Sequence, residues 1–158
     1  MNNPTTDFAK HWEFIHAMTL DFAAEVPEAS WDFSPHPKFA PFSKQLRHVV
    51  CVRGVYNDAL VSRRADFSRK HEHYDGPLTR EALTSALAEQ QDALLAILTA
   101  LEKESDAIVI EAFGRQFPLG EYLHILTQHE SLHQGQWSIY AALAAFETPL
   151  RWRLEWAL

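Results

Sequence analysis

An all-α four-helix bundle is the fold that this sequence predicts, and three observations carry the prediction. Four long segments place apolar residues at alternating spacings of three and four, the mark of a helix with one buried face. Only one short run, DAIVIEAFGRQF (106–117), alternates in the manner of a strand. The 158 residues are 47% hydrophobic and 22% charged, which suits one globular domain over 1–158 with a sizeable core. A formal charge of −7, with no lysine- or arginine-rich stripe, argues against nucleic acid as a partner. No run approaches a membrane span, and the opening MNNPTTDFAKHWEF carries charges where a signal peptide would be apolar. The single cysteine, Cys51, excludes an internal disulfide and suits the cytoplasm.

In chain order, residues 6–25 form the first predicted helix. Phe8, Trp12, Ile15, Thr19, Phe22 and Val26 mark its buried stripe, and Pro27 ends it. His11 and His16 flank that stripe and are expected at its edge or on the surface. Residues 28–42 hold Pro35, Pro37 and Pro41 with Trp31, Phe33 and Phe39 between them, so they read as a long crossover strap. His36 is expected to be exposed there.

Ser43 is the expected N-cap of a second helix reaching about residue 66. Its core stripe holds Gln45, His48, Val52, Val55, Tyr56 and Ala59, with Arg47, Arg53, Asn57 and Arg64 outside it. A weaker strip of Leu46, Val50, Gly54 and Val61 implies cover on the far side, by a loop or a partner subunit. Residues 67–78 are polar, end in an Asp-Gly-Pro turn, and hold His71 and His73 as solvated residues. Thr79 caps a third helix to about residue 103, with Leu83, Leu87, Leu94, Leu98 and Leu101 inward. A short hairpin or irregular loop containing Gly114 follows. The tail TPLRWRLEWAL carries Trp152 and Trp156 and must dock on the bundle or on a partner subunit.

The fourth helix, residues 118–146, carries the chemistry. His129 and His133 lie about 40° apart on its wheel, within the arc of Leu119, Tyr122, Leu126, Leu132, Trp137, Tyr140, Leu143 and Ala144. Glu121, His124, Thr127, Gln128, Ser131, Gln134 and Ser138 make the polar face. A packed interior does not readily accept imidazoles without partners. With His48, the pair supplies three inward ligands from two helices and leaves coordination positions open, a catalytic type of site for a divalent metal. The alternative is three core histidines satisfied separately by hydrogen bonds.

Two stretches, SKQLRHVVCVRGVYNDAL (43–60) and HILTQHESLHQGQW (124–137), resemble the DinB/YfiT-like metalloenzymes, a family distinct from the DNA polymerase sharing the DinB name. The resemblance implies that His48, His129 and His133 bind nickel, zinc or a related ion; three imidazoles also suit iron and copper. The family's second stretch commonly continues His-Arg-Gly-Gln, where this chain has His133, Gln134, Gly135 and Gln136; the metal triad is intact. Relatives include thiol transferases and isomerases using bacillithiol or mycothiol, and a metal-binding domain of ergothioneine enzymes. The expectation is therefore a metal-dependent transferase or hydrolase acting on a small molecule, with a low-molecular-weight thiol as cosubstrate. A homodimer is also implied. Cys51 is expected to be a small core residue rather than the reacting thiol.

Two other readings compete. His129-Glu130-Ser131-Leu132-His133 matches the zincin motif H-E-x-x-H, with Glu130 as general base. No sheet precedes the helix, and Ile139 stands where the extended motif needs a third histidine. Glu130 remains a candidate acid or base beside the metal in either case. The other alternative is a non-catalytic bundle whose ion stabilises the fold.

Overall fold

The computed structural model describes residues 4–158, and the chain is helical as expected. Helix α1 runs Pro4–Glu25, α2 Phe42–Ser62, α3 Arg80–Leu101 and α4 Leu119–Leu143, with a short α5 at Leu150–Trp156. A two-stranded antiparallel hairpin, β1 Val109–Ala112 and β2 Arg115–Pro118, precedes α4. Its two-residue turn, Phe113 and Gly114, has positive φ at both positions, which matches the twist of adjacent strands.

Proline stands in the N-cap position of α2, α4 and α5, as Pro41, Pro118 and Pro149, each extended with ψ between 145° and 154°. Proline lacks the N–H that a helix interior needs, so it marks where each of these helices begins. Ser43 is therefore inside α2 rather than its cap, and its hydroxyl donates to Asp32 Oδ1 at 2.5 Å, tying the strap to the helix. Thr79 does cap α3, accepting from the Ala82 amide at 3.3 Å. Helix α2 stops at Ser62, short of residue 66, because Arg63 turns left-handed at φ 67°. The chain then bridges to β1 through Ala65 N to Glu111 O (2.8 Å) and Glu111 N to Arg63 O (2.9 Å).

The core has two apolar clusters. One gathers Trp12, Tyr56, Tyr122 and Leu126, and the other Phe22, Phe42, Trp137 and Trp152. The switch from one to the other falls between Ile15 and Met18 on α1, Val50 and Val52 on α2, and Leu126 and Trp137 on α4. Polar side chains collect at that seam. The C-terminal segment docks on its own bundle: Trp152 is fully buried, lies tilted against Phe22 with ring centroids 4.9 Å apart and donates to Met18 O at 2.9 Å. Of the second strip of α2, Leu46 and Val50 are buried in the second cluster, Gly54 lies under His73 of a 3-10 segment, Phe67–His73, and Val61 is exposed. Leu132 and Leu143, expected inward, face out instead, at 61% and 60% exposure. Among the described residues, no helix is long and apolar enough to cross a membrane.

Candidate metal centre

Helix α4 brings His129 and His133 to the seam one turn apart, and α2 brings His48 opposite them. Their ring nitrogens all lie within 4.8 Å of one another, and His48 Nε2 is 3.2 Å from His129 Nε2. Two imidazoles on one zinc-sized ion, each bonded at about 2.0–2.1 Å, place their nitrogens roughly 3.0–3.4 Å apart. The His48–His129 pair has that spacing, the third imidazole lies within 4.8 Å of both, and all three residues are only half-buried, so the site is not sealed. Among the described residues this is the group of three or more such side chains placed to hold a metal.

The electrostatics suit ligation. Burial, then the neighbouring His133, Lys70 and His71, lowers the His48 pKa to about 4. Burial and the adjacent His133 and His48 lower His129 to about 3, although Glu130 pulls the other way. Burial also lowers His133. Neutral imidazoles keep the lone pairs a cation needs. His133 Nδ1 stands 3.4 Å from Gln45 Oε1, and Tyr56 packs edge-on to His129 at 5.7 Å.

Glu130, the candidate acid or base, has both carboxylate oxygens engaged by other side chains. It is fully buried, its two oxygens are held by the Arg53 guanidinium, and Oε1 also accepts from Thr19 Oγ1 at 2.5 Å. Burial pushes its carboxyl up, but Arg53 and the Thr19 hydroxyl outweigh that and hold it below the usual carboxylate range. Arg53 is itself 3% exposed, lies over the Trp12 ring at 5.1 Å, and meets His16 Nδ1 at 2.9 Å. Gln134 completes the network, donating to Ile15 O and Thr19 Oγ1 at 3.0 Å each.

Three residues placed off the buried faces are thus inside, Arg53, Asn57 and Gln134, while His16, expected at the edge or on the surface, is half-buried. Burial and the Arg53 charge lower His16 to about 4. A helical wheel sorts residues by polarity, and a charge that is buried with its partner looks like a surface charge. One signal was present: the run Val49, Val50, Cys51, Val52 is apolar in every direction, which means α2 is enclosed all round. The remaining histidines are not part of the three-residue group. His11, His36, His71 and His124 are exposed, and His73 lies against α2 with Nε2 3.7 Å from Asp58.

A comparison with protein-family models matches residues 11–137 to the DinB superfamily. The chain belongs to the DinB superfamily. The matched span contains all three clustered histidines of this DinB protein. Among solved structures, the DinB-like protein YjoA of Bacillus subtilis is similar, with 17% identity over 90% of this chain and 94% of that one, and a TM-score of 0.70. At that identity the likeness is one of fold. A search of curated proteins found no significant match. In this DinB chain Cys51 is 2% exposed, its thiol pushed up by burial, with Sγ 4.0 Å from Tyr74 O. The buried thiol is placed as a core residue, in keeping with its neighbours in α2.

Proposed function

We propose that this DinB-superfamily protein is a metal-dependent enzyme in which His48, His129 and His133 hold a divalent ion, nickel or zinc before iron or copper. Its reaction is transfer to or from a low-molecular-weight thiol on a small-molecule substrate. The observation that carries the proposal is the cluster itself, three neutral imidazoles within 4.8 Å on a site left partly open. When bound, such an ion supplies Lewis acidity that lowers the pKa of a coordinated thiol or water. The thiol comes from the family resemblance. The chain's own charges support it: Lys70 acts on both His48 and Cys51, and Arg47 on Cys51, placing positive charge beside the cluster in a protein of net charge −7.

Glu130 enters this reading as an anion locked under the ligands. With both oxygens engaged by Arg53 and Thr19, it is poorly placed to take a proton from water, which weighs against the zincin alternative. The test is elemental analysis of protein purified without a histidine tag, beside His129→Ala. The expected result is about one divalent ion per wild-type chain and almost none in the variant, with the melting temperature of the metal-free protein little changed. Metal retained by His129→Ala would sink the assignment. A large loss of stability on metal removal would move the ion to a structural role.

A further inference from the structure

We propose that Gln45 is a positioning residue, fixing the proton of His133 on Nδ1 so that Nε2 is the nitrogen left to face His48 and His129. The inference deepens the metal-site reading and takes its functional meaning from it. It follows from a chain of buried hydrogen bonds whose directions can be assigned one after another.

The indole N–H of Trp137 can only donate, and it lies 3.2 Å from Gln45 Oε1. That contact sets the amide: the oxygen, not the nitrogen, of Gln45 faces Trp137. The same oxygen is the atom 3.4 Å from His133 Nδ1, so this ring nitrogen meets an acceptor and is the one we assign the hydrogen, with Gln136 as the ring's other side-chain hydrogen-bond partner. At the other end of the amide, Gln45 Nε2 donates to Tyr140 Oη at 2.5 Å. Tyr140 passes its own hydrogen to the Ala40 carbonyl at 2.6 Å, because a carbonyl only accepts. Each donor therefore has one acceptor, from the proline-rich strap through α4 and α2 to the imidazole. Gln45 and Tyr140 are 6% and 3% exposed, so water does not readily substitute for either partner.

A neutral imidazole offers one lone pair, and the tautomer decides which nitrogen has it. A carbonyl oxygen behind a metal-ligating histidine both sets the tautomer and orients the ring. Here the oxygen is a side-chain amide clamped by an indole and a phenol, two groups the fold holds independently of any ion.

Two variants and one spectrum test this. Long-range proton–nitrogen correlation spectra of the metal-free wild type should show His133 protonated at Nδ1. In Gln45→Leu, which keeps bulk and removes the acceptor, that preference should be lost, and zinc affinity measured by chelator competition should fall about 10–100-fold. Gln45→Glu restores an acceptor oxygen and should return the affinity to within about threefold of wild type, a rescue that a purely structural role does not predict. Wild-type His133 protonated at Nε2, or unchanged tautomer and zinc affinity in Gln45→Leu, would overturn the proposal. If Gln45→Leu fails to fold, the wild-type spectrum and the Gln45→Glu affinity still decide. A wild type that shows Nδ1–H but binds no zinc upholds the hydrogen-bond assignment and sinks the metal reading instead.

Discussion

At the scale of single residues, burial decides both the charge of the imidazoles and the meaning of the carboxylate beside them. His16 and His48 have pKa values lowered to about 4, and His129 to about 3, all mainly by burial. Each lies below the roughly 6.5 of an unfolded histidine, so on acidification the unfolded chain takes up protons first. Stability from these groups is therefore complete above about pH 6.5 and is lost as the pH falls toward about 4 and then 3. Urea midpoints of the metal-free protein should drop between about pH 7 and about pH 4.5; a flat profile across that range would contradict the buried, neutral state. The Arg53–Glu130 pair makes a second prediction. Arg53→Met strands Glu130 in the interior and should cost about 3–5 kcal/mol, whereas Arg53→Met with Glu130→Leu should recover much of that loss, both read by chemical denaturation. Additive losses in the double variant would show that the two side chains are not coupled. His129 and His133 were legible as inward residues because period and polarity disagreed at those two positions. Arg53 and Gln134 were not, because each satisfies a buried partner that is distant in sequence.

At the scale of elements, α2 is the helix most closely enclosed, and Gly54 shows how closely. A Cβ built there would stand 2.4–2.6 Å from the Cγ, Nδ1 and Cβ of His73, so the segment Phe67–His73 rests directly on the helix backbone. Alanine is better than glycine in a helix by about 1 kcal/mol, but overpacking costs about 1–3 kcal/mol and the clash includes His73 Cβ, which cannot swing away. Gly54→Ala should therefore be net destabilising and should expose residues 67–73 to protease. A stabilised, equally resistant variant would show that the segment lifts freely. Element boundaries followed sequence signals unevenly. Thr79 caps α3 as its side chain predicts, while at α2 the proline at position 41 takes precedence over the serine two residues later. The hairpin was ambiguous from its short alternation alone, and its pairing with the chain after α2 depends on residues far apart in sequence.

At the scale of the molecule, two apolar clusters sit on either side of a polar seam, and the candidate metal centre belongs to the seam. α5 closes one end. Trp152 is fully buried among Phe22 and its neighbours, so Trp152→Ala should cost about 3–5 kcal/mol and release the C-terminal segment, observable as a lower urea midpoint and faster amide exchange after Phe146. An unchanged midpoint would mean that the segment is an appendage. The α-helical class, the four long helices and the inward direction of His48, His129 and His133 were determined by the sequence alone, because helical periodicity is local and repeats along the chain. Tertiary structure decided three things: that His48 stands 3.2 Å from His129, that Glu130 turns to Arg53, and that Gln45 backs His133. Each joins side chains more than seventy residues apart, and only the packing of one helix against another sets such a distance.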